Sequence, residues 1–246
     1  MVREHASVTI PPEHAKRHAY HSTLLDNLPG ILEHGFLSCN EQGRLGLTHE
    51  SIALETIQAR RAKMRVTCGP GGVVHDYVPL YFAKLSPMLL AQVHAKNVDQ
   101  MLLVHFAYSV DLLDRVDVVF ADAAANRTRP PTFYADPARL DQLMWEAIDT
   151  RKWGSKIDGV DRKHERMAEV LVHKRLDPTD ADYVIVWNKS IKAEVKEMYV
   201  AAGLTPPPIR YNGYDDEHTV SHFDNKLPDD MRNKAIAAGP WWTNRV

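Results

Sequence analysis

Apolar positions along this chain change period several times, and each change predicts an element. From Tyr20 a short alternating run reads as a strand. Leu24, Leu25, Leu28, Ile31 and Leu32 then recur at helical spacing and stop at Gly35, which fits a helix C-cap. Pro29 and Gly30 inside that stretch predict that it opens as a turn. Residues 40–50 are rich in Gly, Asn, Gln and Arg and read as loop, and residues 51–66 read as a helix capped by Ser51. CGPGG at 68–72 predicts a reversal. HDYVPLYFA is β-branched and aromatic and suits a strand. SPMLLAQVHAKN suits a helix with Ser86 as N-cap and Pro87 at its first position. MLLVHFAYSV reads as a strand, and the run from Asp111 as a helix or turn followed by a strand. Residues 126–140 read as loop, LDQLMWEAIDTRKW as an amphipathic helix and residues 154–166 as loose chain. MAEVLVHKRL and DYVIVW suit strands, SIKAEVKEMYVAAG a helix stopped by Gly203, and IRYNGY a last strand. No repeat and no regular βαβ rhythm appear, so the fold class is α+β.

Composition narrows the class further. The chain has 246 residues, 44% of them apolar, which suits one domain able to bury a core. Twelve Gly and fifteen Pro are too few for a low-complexity chain. The first residues have no apolar core of a signal peptide, and no 18-residue apolar run spans a membrane. Cys39 and Cys68 do not form a CxxC pair. A cytoplasmic protein is expected. The formal net charge of −2 leans against a dedicated nucleic-acid binder. That total conceals uneven charge. Residues 151–175 hold eight Lys/Arg against four Asp/Glu, and residues 206–231 hold six acids against two basic residues. The basic stretches, interleaved with Tyr134, Trp145 and Trp153, suit a single nucleic-acid strand or simply solvated faces.

Candidate chemistry is sparse on spacing alone. His18 and His21 lie three apart and His218 and His222 four apart, but neither pair adjoins a Cys or carboxylate cluster of ligand spacing, so no metal is expected. GxSxG is absent, and CGPGG lacks the Lys-Ser/Thr of a phosphate loop. Glu169 shares one strand face with Met167, Leu171 and His173. Buried, such a carboxylate needs a partner; on an edge strand it would face water.

Five blocks occur in an order that resembles a known family: YHSTLLDNLPGIL at 20–32, SIALETIQARRAKMRV at 51–66, GGVVHDYVPLYFAKLSPML at 71–89, LMWEAIDTRKW at 143–153 and MAEVLVHK at 167–174. Together they resemble the DarT family, the DNA ADP-ribosyltransferase toxins of DarT–DarG toxin–antitoxin systems. The resemblance covers residues 18–212, which it makes the transferase domain. Residues 1–17 become a loose leader, and residues 213–246 an extension packed on or beside the domain. The implied fold is the ADP-ribosyltransferase core, two packed, split β-sheets with an NAD+ cleft between them. The implied activity moves ADP-ribose from NAD+, a consumed substrate, to a base of single-stranded DNA, thymine in the most similar branch. Guanine in DNA, an RNA base, or an inactive module that binds single strands or an antitoxin are the alternatives.

The resemblance also implies roles. The family's H-Y-E layout falls on His21, Tyr81 and Glu169. His21, Thr23 and Asn27 would hold NAD+, Tyr81 would pack the nicotinamide, and Ser86 and Met88 would shape its pocket. Glu169 would be the catalytic carboxylate, with Arg61 as the arginine of the NAD+-binding loop. Trp145, Trp153, Arg162, Lys163 and Arg166 would face DNA. A monomer, a macrodomain antitoxin of the DarG kind and a role in phage defence are expected. The sequence departs from the family, which commonly has an F-T-D segment with a His or Asn shortly after: here Phe120, Ala121 and Asp122 are followed by three alanines, Ala123–Ala125, before Asn126, and RTRPP at 127–131 reads as an insertion.

Overall fold

The computed structural model describes residues 10–47, 55–125, 130–150 and 161–211. The chain runs β1 (His18–Leu24), α1 (Leu28–His34), β2 (Phe36–Leu37), α2 (Cys39–Leu45), α3 (Glu55–Arg61), β3 (Tyr77–Tyr81) and α4 (Pro87–His94). It continues with β4 (Leu103–Ser109), β5 (Val118–Ala121), β6 (Phe133–Tyr134), α5 (Trp145–Asp149) and α6 (Arg162–Glu165). The last elements are β7 (Glu169–His173), β8 (Arg175–Leu176), β9 (Tyr183–Val186), α7 (Lys189–Ala201) and β10 (Ile209–Tyr211). Eight strands form one sheet in the order β10-β9-β4-β1-β3-β7-β5-β6, and β2 pairs with β8 beside it.

That sheet is split in the middle. β1 pairs with β4 over its whole length, yet it meets β3 through one residue pair, Tyr20 opposite Tyr81. The halves β10-β9-β4-β1 and β3-β7-β5-β6 are therefore joined through this single pair within one eight-stranded sheet. One in-register row crosses it: Tyr183, Ala107, Tyr20, Tyr81, Glu169, Ala121 and Phe133. Residues in register share a face, so Tyr81 and Glu169 project together.

Both faces of the central strands are covered. Val170 and Val172 join the main core, while Leu171 joins a second cluster with Tyr77, Val119 and Ala121. Continuous burial explains why β7 reads as an almost unbroken apolar run. Leu28, Leu80, Leu103 and Leu171 are fully buried, and each such side chain contributes about 1.5–3 kcal/mol. On α7, Ile191, Val195 and Tyr199 lie four apart and face inward, while Val200 stays 64% exposed. The Asn188 side chain caps α7 by accepting from the backbone of Ser190 and Ile191, both at 3.0 Å. Ser86 caps α4 in the same way, accepting from Leu89 at 3.2 Å, as its sequence predicts.

Four expectations are corrected. Within 40–50, α2 forms because Ser38 accepts from the Glu41 backbone and Gly46 ends the helix in the left-handed region. The helix expected over 51–66 stops at Arg61: Val66 bonds Gly72 and Val74 bonds Met64, so the CGPGG reversal draws its flanks into extended pairing. The helix expected over residues 140–153 breaks into a 3-10 turn, Pro137–Gln142, and the short α5. Leu143 is extended between them, and the Trp145 indole N–H spans the break to the Leu140 carbonyl at 2.7 Å. The leader is not loose from Ile10 onward: Ile10 is in the core, and His14 packs on Trp145.

Candidate active site

Glu169 begins β7, directly between Tyr81 of β3 and Ala121 of β5, and is 0% exposed. An anion buried there needs a partner, and α3 supplies it with its last residue. Arg61 Nη1 donates to Oε1 at 2.8 Å and Nη2 to Oε2 at 2.9 Å, a two-pronged pair between residues 108 apart in sequence. The Ala125 backbone N–H also donates to Oε1, at 3.1 Å. Burial opposes the charge on Arg61, but the Glu169 carboxylate outweighs it and keeps the guanidinium protonated. Burial, and then the Glu169 charge, push the Tyr81 hydroxyl well above its ordinary range, so it stays neutral.

A cleft of about 470 Å³ opens beside Arg61, lined by residues of β1 and β3 from the two sides of the joint. His21, Thr23 and Asn27 line it from β1 and the turn after it; Tyr81, Ser86 and Met88 line it from the other wall; Arg61 closes its floor. Glu169 itself stands behind Arg61 and is not on the cleft surface. His21 donates from Nδ1 to the Pro79 carbonyl at 2.7 Å, which ties β1 to β3 just past the joint and fixes the tautomer. Its ring lies 4.4 Å from that of Phe36. Asn27 donates to the Thr23 hydroxyl at 3.3 Å. His75 contacts Gln58 at 2.8 Å and holds α3, and hence Arg61, against the turn before β3.

Lys84 and Tyr77 also line the cleft, although sequence reading did not single them out. The signal was present for Tyr77: Tyr77, Pro79 and Tyr81 alternate along β3 and share the cleft face. Burial pushes the Tyr77 hydroxyl up to about 12, and it donates to the Gly71 carbonyl at 2.6 Å.

The residues expected to face DNA divide into separate settings. Lys163 is exposed on α6. Arg162 is buried and donates to Glu146 at 3.3 Å. Arg166 is buried, and its Nε and Nη1 donate to four backbone carbonyls, so these donors serve the scaffold. Trp145 is half-buried beneath Arg17, whose guanidinium lies 3.8 Å from the ring centre, and it packs on Phe82. It is part of the core edge and not an open platform. Trp153 lies outside the described residues. Among the described residues no group of three His, Cys, Asp or Glu could hold a metal ion, and no helix is long and apolar enough to cross a membrane.

Comparison with known proteins gives concordant results. Residues 20–215 match the family model described as DarT, ssDNA thymidine ADP-ribosyltransferase. A DNA ADP-ribosyl transferase of Thermus aquaticus is 33% identical over 198 residues, covering 78% of this chain and 85% of that protein. A DNA ADP-ribosyl transferase–DNA ADP-ribosyl glycohydrolase fusion protein of Thermosipho africanus is 25% identical over 181 residues, 74% of this chain and 45% of the fusion. Thermus sp. 2.9 DarT in complex with ADP-ribosylated ssDNA superposes with a TM-score of 0.72 at 28% identity, over 83% of this chain and 97% of that one. The same protein in complex with NAD+ gives 0.69 at 26% identity, over 83% and 98%.

Proposed function

The chain belongs to the DarT family, and on that premise we propose that it transfers ADP-ribose from NAD+ to a thymine base of single-stranded DNA. The observation that carries the chemistry is the buried Arg61–Glu169 pair, whose arginine lines the cleft and whose carboxylate lies directly behind it. NAD+ lies between the walls formed by His21 and Thr23 on one side and Tyr81, Ser86 and Met88 on the other. Its nicotinamide end sits against Tyr81, whose neutral ring offers a flat apolar face.

The bond that breaks joins ribose C1′ to the nicotinamide nitrogen. Its electron pair leaves with nicotinamide, which departs neutral, so no general acid is required. Positive charge develops on the ribose, as in glycoside hydrolysis. A carboxylate bonded to the neighbouring ribose hydroxyl stabilises that charge where it forms. Both Glu169 oxygens accept from Arg61 in this structure, so one of those bonds must exchange for the ribose hydroxyl as substrate enters. The thymine imide nitrogen then bonds to C1′, and its proton passes to Glu169. Arg61, with planar donors and a permanent charge, stabilises the negative charge developing on the base carbonyl. The target base must leave its stack, which favours single strands.

Unchecked, the reaction would scar the cell's own DNA, and a toxin countered by a macrodomain antitoxin follows from that. The Thermosipho relative, joined to a DNA ADP-ribosyl glycohydrolase, supports this reading. The protein then acts as a cytoplasmic monomer, with NAD+, single-stranded DNA and the antitoxin as its partners. Labelled NAD+ offered with separate pools of single-stranded DNA with thymine, DNA without thymine, RNA and protein tests the proposal. Label is expected on the thymine-containing DNA alone; label confined to RNA or to thymine-free DNA would assign a different acceptor.

A further inference from the structure

Arg166 lies three residues ahead of Glu169, and the chemistry above makes no use of it. After Tyr81 meets Glu169, the pairing of β3 with β7 continues for one more bond, Phe82 N–H to the Ala168 carbonyl at 3.3 Å. The chain then leaves the sheet. Further along that wall the Leu85 carbonyl accepts from Arg166 Nε at 3.1 Å. Leu85 is flanked by Lys84 and Ser86, both of which line the cleft. In the other direction Arg166 Nη1 donates to the carbonyls of Ala147 at 3.4 Å, Thr150 at 2.6 Å, and Ile148. Two of these carbonyls belong to α5, and the third to Thr150, the residue that follows it. Burial pulls the Arg166 guanidinium down to about 10, with Asp149 opposing, so it stays charged at neutral pH.

We infer that Arg166 is a positioning residue of the transfer reaction, holding the cleft wall that carries Lys84 and Ser86 in register with the end of α5. The inference rests on the reading that this cleft binds NAD+. A guanidinium suits the task because its planar fork donates in two directions at once, whereas a lysine ammonium is a point donor on a flexible stem. The residue thus joins two segments far apart in sequence, one bordering the cleft and one leading to residue 151, at the strand that presents Glu169.

The test uses the full chain as wild type, R166K and R17A. Arg17 grips α5 from the outside, with two bonds to Asp149 at 2.8 and 2.9 Å and its stack on Trp145, and it is not a cleft residue. Thermal unfolding, NAD+ affinity by calorimetry, and KM and kcat for transfer to a thymine oligonucleotide are measured for each. R166K is expected to weaken NAD+ binding and raise the KM for NAD+ by roughly tenfold, with kcat changed much less. R17A is expected to lose as much thermal stability and keep NAD+ affinity within about twofold. If R166K binds NAD+ as wild type does, or R17A weakens NAD+ as much at equal stability, Arg166 is only a scaffold residue. Should R166K fail to fold, R166Q, which keeps an amide donor, is judged by the same two outcomes. A wild type that binds no NAD+ sinks the functional reading itself, and the role of Arg166 with it, without reference to any variant.

Discussion

Glu169 is at once a reacting group and half of a buried ion pair, so its substitutions separate two effects. E169A removes the anion and strands Arg61 in the interior, and breaking a buried pair in this way costs about 3–5 kcal/mol. E169Q keeps the shape and one good acceptor for Arg61. Transfer by E169Q is expected to fall at least ~100-fold, with a clearly smaller drop in melting temperature than E169A shows. Oligonucleotide labelling beside thermal unfolding checks both. His75 gives a pH dependence. Burial, and then the nearby Arg61 charge, lower its pKa below the ordinary 6.5. The unfolded chain therefore takes up the proton first, and the stability of the neutral ring is present above pH 6.5 and lost as pH falls from there through the lower value of the folded state. Melting temperature should fall between pH 7 and pH 5, and H75Q should flatten that slope. An H75Q slope equal to wild type would remove His75 from the account.

At the scale of elements, α6 shows what a charge count can and cannot foretell. Arg162, Lys163 and Arg166 read alike in sequence, as basic residues before a strand. Folded, only Lys163 points to solvent, because Glu146 takes Arg162 and carbonyls of two segments take Arg166. K163A should reduce the salt slope of DNA binding by about one unit. R162A should lower stability and leave the slope nearly unchanged. Titrating binding against salt for the two variants separates them; equal slopes would show that Lys163 is no phosphate contact. The helices α4 and α7 were legible because one local signal each, the capping Ser86 and the terminal Gly203, agrees with the apolar spacing. The stretch around Trp145 was not legible. Its spacing is helical, but distant groups, Arg166 and Arg17, determine where the backbone turns.

For the whole molecule, the strands and the α+β class could be read from alternation, and the family blocks carried the cleft residues to one place. What alternation cannot show is the joint. Tyr20 and Tyr81 lie 61 positions apart by number, and their single pairing decides where the sheet divides and where a cleft opens. Likewise no spacing joins Arg61 to Glu169 across 108 residues; the fold makes that pair, and the burial of Glu169 makes it necessary. The near-neutral total charge proved uninformative, since basic side chains that a count makes available for phosphates are partly spent on carbonyls. The most direct test of the account is mass spectrometry of an oligonucleotide with a single thymine after incubation with NAD+ and the protein. One ADP-ribosyl group on that thymine, none on a thymine-free strand and none with E169Q is the expected result. A group mapped to another base, or transfer by E169Q at the wild-type rate, would contradict it.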